Sequence, residues 1–148
     1  MGDALRSARV GFAESLRARM AGMEVSVLGH FAPEAMPEIY HLGDLLVIPS
    51  RFEEPFSMVA IEAMASGLPV LALRKGGMKE YMIDGENAFL LPAEADSTAL
   101  ARAIETVADA SPEGLAQVAR TARTMVESRY TWAHVVRDTE RLYREMLQ

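Results

Sequence analysis

The sequence predicts an α/β protein with a Rossmann-like three-layer α/β/α arrangement and a mostly parallel sheet of about four strands. Two observations predict it. Four short apolar runs, EVSVL (24–28), LLVI (45–48), VLAL (70–73) and AFLL (88–91), alternate with stretches whose apolar residues recur at spacings of three and four. Such alternation implies parallel strands joined by right-handed crossovers, with helices on both faces of the sheet. No internal repeat, low-complexity tract or flexible linker interrupts residues 1–148, so they read as one domain.

Residues 3–21 form the first predicted helix, with Leu5, Ala8, Phe12, Leu16 and Met20 on one face and Gly22 as its break. The strand EVSVL follows and stops at Gly29-His30. A short helix is expected over 33–41 (PEAMPEIYH), closed by Gly43. The strand 45–48 runs into Pro49-Ser50, and a helix over roughly 57–66 ends at Gly67 with Pro69 just beyond, as helix C-termini prefer. After the strand 70–73, Arg74-Lys75-Gly76-Gly77 is a turn with wide backbone freedom. Met78–Ile83 reads as a short helix, Asp84–Asn87 as a turn, and Pro92 stops the last strand. From Asp96 onward the pattern is helical. Ser111-Pro112 is an N-cap followed by proline at the first helical position, and a last helix over about 131–147 gathers Trp132, Val135, Val136, Leu142 and Met146 on one face. The opening on a helix fits either a compact variant of the fold or strands that precede this sequence.

Composition narrows the function classes. Half the residues are hydrophobic, enough for a proper core at this length. A formal charge of −6, with no run of Lys and Arg, argues against a nucleic-acid binder. Without cysteine there is no disulfide framework, thiolate nucleophile or thiolate metal site. His41 and His134 read as structural, because no second ligand stands at metal spacing. The N-terminus lacks the apolar core of a signal peptide and no stretch has the length of a membrane span, so a cytoplasmic protein is expected. Membrane association is expected only through parts outside this sequence.

The stretch 49–69, PSRFEEPFSMVAIEAMASGLP, carries the chemistry. It places a polar loop after a buried strand and ahead of a helix N-terminus, where ligands bind in open α/β sheets. Free backbone N–H groups and the helix dipole favour an anion there, and a diphosphate fits. Glu54 and Glu62 flank that N-terminus, eight positions apart, about 12 Å if wholly helical. Carboxylates do not help to bind phosphate, but they accept hydrogen bonds from vicinal hydroxyls of a sugar or ribose. The separation matches a nucleotide sugar, with its diphosphate in the middle.

The run PSRFEEPFSMVAIEAMASGLPVLAL, followed by GGMKE and DGENAFLLP, resembles the C-terminal, donor-binding domain of retaining group 1 glycosyltransferases of the GT-B fold. Glu54 and Glu62 have the family's Glu–seven residues–Glu spacing. The likeness extends upstream through VSVLGHF and HLGDLLVIPS and downstream to YTWAHVVRDTERLY, covering everything after about residue 20. It implies that Glu54 contacts hydroxyls of the transferred sugar beside its anomeric carbon, as the catalytic carboxylate, and that Glu62 binds the ribose. It also implies donor contacts from the backbone at Phe56, Ser57 and Met58, with Gly29 and His30 near the base. The donor would be a UDP-, GDP- or ADP-sugar, and the hexosyl-type transfer would need neither metal nor other cofactor.

Two positions depart from the family's pattern: Ser57 and Ala88 stand where glycine is usual. Ser57 would either crowd the diphosphate or cap the helix. The resemblance also implies a basic Arg/Lys pair upstream and an N-terminal acceptor domain, neither within these residues, so the chain alone is expected to transfer little or nothing. Arg51, Arg74 and Lys75 are not assigned the basic role. The alternative is a non-catalytic nucleotide-sugar-binding or interaction module that works with a partner chain. Gly76-Gly77 reads equally as a plain turn or a ligand-approach loop, and His30 as a base neighbour or an uninvolved surface residue. Trp132 and its stripe read most simply as core, although in GT-B enzymes the last helix crosses toward the other domain and leaves part of such a face bare.

Overall fold

The computed structural model describes residues 2–147, with side chains from position 11 onward. It divides into two units, residues 1–31 and 32–148. In the first, helix α1 spans Gly2–Met20, as its periodicity predicts, and Gly22 breaks it at a positive φ of 84°. The side chains of Leu5 and Ala8 lie outside those described.

The predicted strand EVSVL does not form. Residues 24–31 carry no regular structure, and Val27 is 72% exposed. A strand needs a neighbour to take its N–H and C=O groups. Among the described residues of this unit the only other element is α1, which offers no ladder. The alternating valines therefore have the sequence of a strand without the pairing that makes one.

The second unit holds the predicted parallel sheet, with three strands rather than four: β1 (Leu46–Ile48), β2 (Val70–Leu73) and β3 (Phe89–Leu91), in spatial order β1-β2-β3. Leu46 pairs with Val70 and Leu71 with Phe89, all parallel. The central strand β2 is buried along its whole length, which is why VLAL is unbroken by a polar residue. Before β1, the proline-rich segment 33–41 splits into a 3-10 turn (Pro33–Ala35) and helix α2 (Met36–Tyr40).

Helix α3 (Met58–Ala65) connects β1 to β2 and supplies Ala60, Ile61, Ala63 and Met64 to the core. Its end is a full glycine cap. Gly67, at φ 78°, donates to the Met64 carbonyl at 3.0 Å, and Leu68 donates to Ala63 at 2.9 Å while burying its side chain. The small residues of α3 allow α5 (Pro112–Arg129) to pack closely, with Ala122 and Val126 in the same core cluster. Met78–Ile83 is not an α-helix: residues 76–80 form a 3-10 turn.

Helix α4 (Ser97–Ala108) is capped by Asp96, whose side chain accepts from Ala99 N. Ser111 caps α5 in the same way, with Pro112 at its first position, as the sequence predicts. Thr131 caps α6 (Trp132–Met146). Its apolar stripe is not core. Trp132 is 77% exposed and Val135, Val136, Leu142 and Met146 are also exposed. Periodicity identifies an amphipathic helix correctly, but it does not tell whether a face is covered. No helix among the described residues is long and apolar enough to cross a membrane.

Candidate functional site

All three strands are parallel, so the loops leaving β1, β2 and β3 gather at one end of the sheet. The loop 49–57 after β1 carries the acidic residues, and the segment 74–81 after β2 folds against it. The contact is backbone on backbone. A Cβ at Gly76 would stand 1.9 Å from the Glu54 carbonyl oxygen, and one at Gly77 would stand 1.9 Å from that of Pro55. Only glycine permits this approach. Gly76-Gly77 is thus the seat of the acidic loop.

Hydrogen bonds secure the seat. Gly77 N donates to the Glu54 carbonyl at 2.8 Å, and Gly76 N donates to the Glu53 carboxylate at 2.6 Å. The Lys75 ammonium donates to the Arg51 carbonyl at 2.7 Å, and Arg51 in turn donates to the Ala95 carbonyl at 3.3 Å. Lys79 lies 3.8 Å from Glu53. This last pair is exposed and holds the loop weakly. Arg51, Lys75 and Lys79 therefore each have a partner within the loops or the segment that follows β3.

Phe56 is fixed from both ends. Its carbonyl accepts from the Tyr81 hydroxyl at 2.6 Å, and its ring packs against Tyr81 and Tyr130 with centroids 5.3 and 5.4 Å away. Tyr81 and Tyr130 complete the triangle at 5.7 Å. Burial pushes the Tyr81 phenol above its ordinary value, with Tyr130 and then Glu54 adding to the shift, so it remains a donor at neutral pH. Buried Asn87 holds Tyr81 in turn: its amide donates to the Tyr81 carbonyl at 2.8 Å and accepts from Ile83 N.

Ser57 closes the loop. It is the one non-glycine residue with positive φ among those described, at φ 64° and ψ 80°. Its carbonyl accepts from Ala60 and Ile61 N, but its hydroxyl makes no cap bond, so the capping expectation is not met. The conformation is one that glycine adopts freely and serine at a cost. Ala88, the other departure from glycine, is fully buried and has no positive φ. Met58 and Val59 are exposed in the first turn of α3, which carries neither an acidic residue nor a side-chain cap.

Glu54 and Glu62 are both half-buried, and each has one oxygen held by a neutral hydroxyl. Ser50 Oγ donates to Glu54 Oε1 at 3.0 Å, and the Tyr40 hydroxyl donates to Glu62 Oε2 at 2.9 Å. The loop and α3 thus carry Glu54, Phe56, Ser57, Met58 and Glu62 on one continuous stretch. Gly29, at φ 83°, and His30 belong to the other unit and are exposed there. Sequence reasoning missed Tyr40, Ser50, Glu53, Tyr81 and Tyr130 as supports. They stand at separations from 4 residues (Ser50 to Glu54) to 25 (Tyr81 to Phe56), and the longer spans have no local signature. No group of three or more His, Asp or Glu that could hold a metal ion occurs among the described residues.

Two substitutions in the same site are expected to act in opposite directions. Gly77→Ala forces the loops apart and should cost about 3 kcal/mol. Ser57→Gly relieves the left-handed backbone and should stabilise by about 1 kcal/mol. Urea unfolding of both variants against the parent chain checks the signs.

Comparison with known proteins agrees with this architecture. The sequence profile described as "Glycosyl transferases group 1" matches residues 3–110. The lipopolysaccharide 1,2-N-acetylglucosaminetransferase of Salmonella typhimurium is 36% identical over 124 residues, covering 83% of this chain and 32% of that protein. Among solved structures, sucrose-phosphate synthase from Thermosynechococcus elongatus superposes with a TM-score of 0.82 at 31% identity, over 95% of this chain and 35% of its own. Anabaena HepE in complex with UDP-glucose gives 0.82 at 26% identity, over 91% and 37%. The chain spans about a third of the length of these relatives. Sequence match and superposition agree that this chain belongs to the group 1 glycosyltransferase family and has the α/β fold of its GT-B members.

Proposed function

We propose that the chain binds a nucleotide-diphosphate sugar across the N-terminus of α3 and serves as the donor half of a retaining, metal-independent hexosyl transfer. The observation that carries this reading is the pair of half-buried carboxylates, Glu54 and Glu62. Each is held on one oxygen by a neutral hydroxyl, and they flank a helix N-terminus that no side chain caps. An uncapped first turn offers N–H groups and the positive end of the dipole to a diphosphate. The carboxylates remain acceptors for hydroxyls on either side of it.

In this reading Glu62 accepts from the ribose hydroxyls. Glu54 accepts from the transferred sugar and faces the positive charge that develops at the anomeric carbon as the diphosphate leaves. The backbone at Phe56, Ser57 and Met58 approaches the sugar and diphosphate. The strained backbone of Ser57 supports the reading, because the chain holds there the left-handed conformation that glycine takes freely. HepE, a neighbour with UDP-glucose bound, makes a uridine diphosphate donor the first to test, ahead of GDP- and ADP-sugars. The acceptor site belongs to a further domain or partner chain, so transfer by these 148 residues alone is expected to be slight or nil.

Calorimetric titration with UDP and UDP-glucose separates the two roles. Glu62→Ala should weaken both ligands by about tenfold or more, the loss of hydrogen bonds to a charged acceptor. Glu54→Ala should weaken UDP-glucose and leave UDP within about twofold. Unchanged affinities in both variants would contradict the assignment.

A further inference from the structure

Tyr40 ends α2, and its ring belongs to the same core cluster as Met64 and Ala63 of α3. The residue is 6% exposed, so the ring is locked by packing and delivers its hydroxyl to a fixed point. That point is Glu62 Oε2, 2.9 Å away. Glu62 has three side-chain torsions and sits half-buried on α3, where an untethered carboxylate would sample several rotamers. The nearby Ser66 hydroxyl does not restrain it, because Ser66 Oγ donates to the Glu62 backbone carbonyl instead. No salt bridge and no second side-chain hydrogen bond reaches the Glu62 carboxylate among the described residues.

Glu62 and Tyr40 line a cavity of about 250 Å³ together with Pro33, Met36, Pro37 and Ala65. Its lining contains no basic residue. The nature of the restraint matters here. A lysine or arginine would orient the carboxylate but would also neutralise it and occupy its oxygens. A phenol occupies one oxygen, fixes the carboxylate's plane, and leaves the charge for hydroxyl donors from a ligand. Burial, with Glu62 adding, pushes the Tyr40 phenol above its ordinary value, so it donates throughout the neutral range.

We infer that Tyr40 is a positioning residue for nucleotide recognition: its hydroxyl pre-orients the Glu62 carboxylate so that the remaining oxygen meets the ribose hydroxyls of the donor. This rests on the donor-site reading above. The benefit is preorganisation, since a carboxylate held before binding loses less rotamer freedom on binding. A purely structural tie between α2 and α3 would have the same distance, so the test must read ribose recognition and not stability.

The 148-residue chain is titrated with UDP and with 2′,3′-dideoxy-UDP, as parent, Tyr40→Phe, Glu62→Ala and the double variant. Phenylalanine keeps the buried ring, and melting temperatures check that each variant is folded. The inference expects Tyr40→Phe to weaken UDP about tenfold, to leave the dideoxy analogue within about twofold, and to add nothing in the Glu62→Ala background. Equal weakening of UDP and the dideoxy analogue would make Tyr40 a structural tie and overturn it. Unchanged UDP affinity in Tyr40→Phe, with Glu62→Ala weakened, would overturn it and leave the donor site standing. Unchanged affinity in both variants would remove the donor-site reading as well.

Discussion

The Gly76-Gly77 step lies so close to the Glu54–Pro55 backbone that no side chain fits between them, and the acidic loop has its shape because of that contact. Two peptide segments pack face to face at the carboxyl end of a three-stranded sheet. The hydrogen bonds from Gly77, Lys75 and Tyr81 then close around them. Each tether is worth about 1 kcal/mol on its own. Together they leave the loop little freedom, because they reach the carbonyls of Arg51, Glu54 and Phe56 in turn. The loop enters α3 through Ser57, the one non-glycine residue with positive φ among those described, and the surrounding tethers hold that strained backbone in place.

Both acidic side chains are handled alike. Each presents one oxygen to a neutral hydroxyl, Ser50 of the same loop for Glu54 and Tyr40 of α2 for Glu62, and neither is ion-paired with a cation among the described residues. Elsewhere Glu127 pairs with Arg123 on α5, and Asp84 and Asp96 accept from backbone N–H groups. The aromatic triangle of Phe56, Tyr81 and Tyr130 links the loop to the end of α5, so the loop's position depends on helix packing well outside the motif.

Much of this was legible in the sequence where the cause is local. The β1–loop–α3 unit follows from an apolar run, a proline stop and a glycine terminator, and the caps at Ser111 and Gly67 follow from their own residue types. The spacing of Glu54 and Glu62 placed both on that unit. What the sequence did not reveal depends on partners distant along the chain. Tyr40 and Glu62 are 22 residues apart and Tyr81 and Phe56 are 25 apart, with no periodicity to connect them. EVSVL has the composition of a strand, yet a strand exists only when another accepts its ladder. The α6 stripe has helical periodicity, yet periodicity cannot say whether Trp132 is covered. The two glycines could be recognised as permissive, but only coordinates reveal that they make room for the backbone of Glu54 and Pro55.

We propose that a prebuilt loop and helix end receive a nucleotide-diphosphate sugar between two oriented carboxylates. A crystal structure of the chain soaked with UDP-glucose tests it most directly. The diphosphate is expected over the first turn of α3, the ribose hydroxyls on Glu62, and the loop 49–57 unmoved by binding. A nucleotide bound elsewhere on the surface, or a loop that must rearrange before the ligand fits, would contradict it.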